Sequence, residues 1–140
     1  MQRLIAASLI VLVLLVGGAG FGYWTYRQNR EHPVFITLQF KSETSAAKRD
    51  EEARRLKERL SEPGFLLKVS KEVGLRSKWN LESDEAGVAA IEDRLFVDVA
   101  GTAISIGVHG KKKDRFVSEQ IVLRLKGEVE NVLGHKPPAK

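Results

Sequence analysis

A long uncharged segment near the amino terminus constrains the chain more than any other feature. No residue from Leu4 to Tyr26 carries a charge, and a helix of this length, at about 1.5 Å per residue, extends about 35 Å. The hydrocarbon layer of a bilayer is about 30 Å thick, so a transmembrane helix is predicted. A cleavable signal peptide is the alternative, because Gly18 and Gly20 are small residues of the kind that precede a cleavage site. The aromatic residues that follow them favour a retained helix with an interfacial belt.

The rest of the chain is long enough for one small domain. Of the 140 residues, about 100 to 110 remain beyond the uncharged segment, which suits a single core. We predict a membrane anchor over residues 1–30, an α+β domain over residues 33–134 and a short proline-rich tail over residues 135–140. No cysteine occurs, which excludes disulfides and cysteine-ligated metal sites. The net charge of +5 is mixed with acids along the predicted helices, so it is interpreted as solvated surface and no nucleic-acid partner is expected.

Alternating apolar residues predict three strands in the domain. Residues 34–40 alternate, beginning after a proline that suits the first position of a strand. Residues 97–99 and 104–108 alternate as well, and Gly101 with Thr102 is expected to connect them as a hairpin.

Helical spacing of apolar residues predicts four helices, over residues 43–60, 63–73, 83–95 and 114–133. Pro63 suits the first turn of a helix, Gly74 suits a left-handed C-terminal residue, and Ser83 suits an N-cap. Trp79 is interpreted as a lid on the core, and Val132 as a buried residue of the last helix. The predicted fold class is α+β: one N-terminal transmembrane helix followed by a small ferredoxin-like domain with about three strands and helices on one face.

Residues that could carry chemistry are sparse. His32, His109 and His135 are far apart in sequence, and none belongs to a metal-binding helix pattern. Phosphate-binding loops, dinucleotide fingerprints and nucleophile elbows do not occur. We therefore expect no catalytic, cofactor-binding or metal site, no cofactor and no enzymatic activity.

Two groups of residues are candidates for contacts with partners. Gly18 and Gly22 form a G-x-x-x-G pair that lets two helices approach closely, although glycine is also common in membrane helices for no specific reason. A basic patch is a candidate for contact with lipid phosphates or an acidic glycan, with a solvated loop as the alternative. The patch consists of Lys111, Lys112, Lys113 and Arg115.

Several motifs together resemble one known family. The residues concerned are Leu60 to Leu66 with Val69, Val73, Gly74 and Leu75, then Leu95 to Val97, and the predicted strand from Thr102 to Val108. With the uncharged amino-terminal segment they are similar to the membrane-proximal part of polysaccharide co-polymerases, the Wzz-like chain-length determinants of bacterial surface polysaccharides. The resemblance covers about residues 4–133, and the second transmembrane span of that family is not part of it.

The resemblance implies a membrane-anchored, non-enzymatic scaffold. Its expected role is in lipopolysaccharide, O-antigen or exopolysaccharide biosynthesis, chain-length control or export, with the domain outside the bacterial cytoplasmic (inner) membrane. The implied partners are the membrane, further copies of the chain, polymerase, flippase or export components, and a lipid-linked glycan. The alternative is a bitopic envelope protein whose small α+β domain mediates protein–protein assembly in a secretion or envelope complex. The charges flanking the uncharged segment do not fix its orientation.

Overall fold

The computed structural model describes the backbone of residues 2–133 and the side chains of residues 14–133. Over this range the chain is an α+β fold with six α-helices and a three-stranded antiparallel sheet. The elements in chain order are α1 (Gln2–Asn29), β1 (Val34–Gln39), α2 (Ala46–Leu60), α3 (Pro63–Val73), α4 (Leu75–Lys78), α5 (Asp84–Glu92), β2 (Leu95–Ala100), β3 (Ala103–Val108), a 3-10 turn (Lys112–Asp114) and α6 (Arg115–Leu133). The predicted tail, with His135, lies outside the described residues.

The transmembrane helix predicted from the sequence is wrong. Within residues 2–133, no helix is long and apolar enough to cross a membrane. Between Leu14 and Tyr26 the helix includes Gly17, Gly18, Gly20 and Gly22, which add little apolar surface. The predicted fold class is therefore corrected to an α+β fold whose described helices include no membrane span.

The sheet has its last strand in the middle. Its order is β1-β3-β2, and both pairings are antiparallel, so β1 and β2 run parallel to each other with β3 between them. Parallel strands need a long crossover connection, which α2 to α5 supply. The predicted hairpin is confirmed: Val97 lies opposite Ile106 and Val99 opposite Ile104, and Gly101 adopts a φ of 60° in the turn.

The core lies between one face of this sheet and the helices. Helix α2 packs on β2, and α6 packs on β1 and β3. Period-2 alternation sends every second side chain of each strand to this face. The largest fully buried side chains are Leu56, Leu60, Leu66, Val69, Leu75, Ile91, Ile104, Ile106, Val108, Ile121, Leu125 and Val129.

Local signals define the boundaries of the central helices. Pro63 is the first residue of α3, and Gly74 ends it in the left-handed region at φ 73°, where its N–H donates to the carbonyl oxygens of Ser70 and Lys71. Ser83 caps α5 by accepting a hydrogen bond from the N–H of Ala86 at 3.1 Å. These three predictions are confirmed. Each depends on residues close in sequence, which is why the sequence alone was sufficient.

Other boundaries differ from the predictions. Helix α2 begins only at Ala46, because the side chain of Ser45 accepts from a backbone N–H and caps it there. Leu95 belongs to β2 rather than to the preceding helix. In α6, Val129 is buried and Val132 is 42% exposed, because the buried positions recur every four residues and reach 129, one turn before 132.

Candidate functional site

The apolar side chains of α1 are exposed to solvent. Each of the following has more than half of its surface exposed: Leu14, Leu15, Val16, Phe21, Tyr23, Trp24 and Tyr26. Successive helical residues point about 100° apart, so these positions lie on all sides of the helix. A helix that is apolar all round is ordinarily buried by other chains or segments. This helix therefore offers a large surface for association.

Gly18 and Gly22 lie on this exposed helix. A Cβ added at either position would meet no atom within 4 Å. The surface at both glycines is thus open to a partner, and their role as a helix contact stays a prediction.

Aromatic side chains cluster on the sheet face that α2 and α6 leave uncovered. Phe35 of β1, Gly107 of β3 and Phe96 of β2 lie side by side in the register of the sheet. The Phe35 and Phe96 rings are 6.3 Å apart and meet edge to face, and the Phe96 and His109 rings are 4.6 Å apart. We call these aromatic residues the open-face cluster.

Gly107 makes the open-face cluster possible. A Cβ at this position would lie 2.1 Å from the Val34 carbonyl oxygen and 2.5 Å from the Phe35 Cβ. The bare backbone of β3 lets the flanking rings approach across the strand. His109 is an exposed residue just after β3, and its ring lies against Phe96.

The predicted basic patch is divided in the structure. Lys111 and Lys113 line a groove of about 380 Å³, which we call the basic groove. Lys112 is exposed in the 3-10 turn and does not line it. Arg115 is engaged elsewhere, since its Nε lies 2.7 Å from Glu119 Oε1 one helical turn away.

The opposite wall of the basic groove comes from two distant segments. Trp79 follows α4 and Arg94 precedes β2, and the Arg94 guanidinium carbon lies 4.2 Å from the centroid of the Trp79 ring. Trp79 Nε1 and Arg94 Nη1 are buried and have no hydrogen-bond partner within the described part of the chain. Trp79 is half-buried and packs against the core, as expected for a lid, and it also lines the groove. Sequence reasoning missed Arg94, because only the fold brings it against Trp79.

One carboxylate at the start of α5 has a perturbed pKa. The pKa of Glu85 is lowered, first by a hydrogen bond from its own backbone N–H and then by one from the Ser83 side chain. This carboxylate lies in the first turn of α5, where the helix dipole also favours negative charge. The position of Glu85 at a helix terminus therefore explains its lowered pKa.

Two of the histidines, His32 and His109, lie within the described residues. The N–H of His32 donates to the Gly110 carbonyl oxygen at 2.7 Å, and His109 belongs to the open-face cluster. Across the residues that the structure describes, no group of three His, Cys, Asp or Glu side chains could hold a metal ion.

Comparison of the chain with protein-family models, with curated proteins and with solved structures found no match.

Proposed function

We propose that the chain is a non-enzymatic scaffold that assembles through α1 into a homo-oligomer. The observation that carries this proposal is the exposure of apolar side chains on all sides of α1. Burial of apolar surface contributes about 25 cal/mol per Å², so each large side chain removed from water adds about 1 kcal/mol or more. Contact with one other helix covers only one side. A bundle of α1 helices from several copies would cover the rest, with Gly18 and Gly22 at a close contact.

We place this scaffold in the biosynthesis, chain-length control or export of a bacterial surface polysaccharide. Support comes from the resemblance of residues 60–75 and 95–108 to chain-length determinants. In this proposal the protein works on the extracytoplasmic side of the cytoplasmic membrane, beside a polymerase, flippase or export component and its lipid-linked glycan. A non-enzymatic scaffold acts there by setting how many molecules of the polymerase, flippase or export component are brought together. Its effect is therefore seen in the length of the polysaccharide.

The test of this role is the length distribution of the surface polysaccharide in a deletion strain. The strain is complemented with the natural chain, with the Leu15→Glu variant of α1, or with Leu123→Glu as a matched control at an exposed position of α6. We expect deletion and Leu15→Glu to change the modal chain length, and Leu123→Glu to restore it. Normal chain length in the deletion strain would contradict the polysaccharide role.

The open-face cluster favours a second candidate, a protein whose α+β domain binds another envelope protein. Phe35 is 52% exposed, and exposed aromatic residues on a flat sheet face are typical of protein contacts. This candidate predicts normal polysaccharide length on deletion. It also predicts that a photo-crosslinker at position 35 captures a different envelope protein, and that Phe96→Ser abolishes that crosslink. Crosslinks to other copies of the chain alone would contradict it.

A further inference from the structure

The scaffold proposal does not use the basic groove. We infer that this groove binds a phosphate-type oxyanion. Its walls come from the segment around Trp79, from Arg94 and from the chain between Lys111 and Asp114.

The charge of the groove is the first argument. Four cationic side chains and one carboxylate line it: Lys78, Arg94, Lys111, Lys113 and Asp114. Among the ion pairs of residues 14–133, none joins one of these four cations to an acid. The Lys78 ammonium instead lies 5.8 Å from the centroid of the Phe116 ring. Unpaired like charges repel one another, and a bound anion relieves that repulsion.

The hydrogen-bonding groups of the wall are the second argument. Buried polar atoms in folded proteins nearly always have a partner, so the unpartnered Trp79 Nε1 and Arg94 Nη1 require an explanation. Both atoms carry hydrogen and neither can accept a hydrogen bond. An acceptor atom can satisfy them, which an oxyanion or a water molecule provides and a cation does not.

The arrangement of Arg94 narrows the class of anion. The Arg94 guanidinium carbon lies 4.2 Å from the centroid of the Trp79 ring, and this cation–π contact restrains a group that can donate two parallel hydrogen bonds to two oxygens of one anion. The neighbouring lysines add point charges that suit an anion carrying more than one negative charge. Asp114 opposes binding but leaves the cations in excess. At about 380 Å³, the groove is large enough for a phosphate or a diphosphate.

The same chemistry is available from a soluble phosphate compound and from a phospholipid headgroup. The groove adjoins the residues that follow α1, since the Lys112 N–H donates to the Arg30 carbonyl oxygen at 3.0 Å. The experiment therefore needs one probe for each source.

The first probe is inorganic pyrophosphate, followed through the indole N–H signal of Trp79 by NMR on the full chain. The chain has two tryptophans, so Trp24→Phe assigns that signal, and chloride holds the ionic strength constant. We expect a saturable shift whose dissociation constant rises about tenfold or more in Lys111→Gln with Lys113→Gln. Lys48→Gln with Lys57→Gln removes the same charge from exposed positions of α2, and it should change the constant less than about twofold.

The second probe is a set of vesicles made of phosphatidylglycerol or phosphatidylcholine. Helix α1 is the same in all variants, so a difference between the two lysine pairs reports the groove. If the Lys111 and Lys113 variant binds phosphatidylglycerol vesicles more weakly and the Lys48 and Lys57 variant does not, the ligand is a phospholipid headgroup. Discrimination with pyrophosphate alone identifies a soluble phosphate compound. If neither probe distinguishes the two pairs, or if the Trp79 signal does not saturate, the inference is overturned. Whether the inference holds or is overturned, the oligomeric state is unaffected, and so is the scaffold proposal.

Discussion

The substitution Gly107→Ala tests the packing at the centre of the sheet. The added methyl group would lie 2.1 Å from the Val34 carbonyl oxygen and 2.7 Å from the Phe35 Cα. Both are backbone atoms of a paired strand, so relief requires β1 to move away from β3 rather than a side chain to turn. Overpacking of this kind costs about 1 to 3 kcal/mol. Because backbone atoms must move, we expect a loss of about 2 to 3 kcal/mol in the free energy of unfolding.

Gly127→Ala is the matched control, because the chemical change is the same and the surroundings are open. A Cβ at Gly127 would meet no atom within 4 Å, and the position is an exposed one inside α6. Alanine is favoured over glycine in a helix by about 1 kcal/mol, so this variant should be more stable. With a shift of roughly 4 °C per kcal/mol, thermal unfolding followed by circular dichroism should show a fall of about 8 to 12 °C for Gly107→Ala and a rise of about 4 °C for Gly127→Ala. Equal midpoints for the two variants would refute the reasoning.

Three further predictions concern the helices. Val69→Asp should cost several kcal/mol and unfold the domain, because Val69 is 1% exposed and an unpaired carboxylate would be buried there; an unchanged unfolding midpoint would contradict the placement of α3. Ser83→Ala should cost about 1 kcal/mol in chemical denaturation, because the hydrogen bond from the Ala86 N–H at 3.1 Å is lost. The lowered pKa of Glu85 means that its contribution to stability is present above its ordinary value of 4.5 and is lost as the pH falls through the lowered value. An NMR titration of its carboxyl carbon should show a higher pKa in Ser83→Ala, and the same pKa in both proteins would count against the Ser83 hydrogen bond.

Sequence periodicity and capping signals predicted most of the core of this domain. Pro63, Gly74 and Ser83 act through neighbours within a few residues, and the alternation around the hairpin fixes which side chains share a face. Predictions failed where a single position decided the outcome. The cap at Ser45 shortened α2, and the choice between Val129 and Val132 depended on how α6 is rotated against the sheet.

The surfaces were harder to predict, since each depends on residues distant in sequence. The basic patch was recognised as a charged run, but the sequence did not reveal that Arg115 has a partner on its own helix while Lys111 and Lys113 face Arg94. The open-face cluster requires Phe35 and Phe96 to be separated by a glycine on a third strand. Such a contact follows only from the strand order, which no local pattern specifies.

Sedimentation velocity of the full chain over a range of concentrations is the most direct test of assembly through α1. We expect a discrete oligomer that Gly18→Ile with Gly22→Ile shifts toward smaller species. Gly17→Ile with Gly20→Ile places the same bulk on other sides of the helix and should leave more of the oligomer intact. A single monomeric species at every concentration would contradict the account.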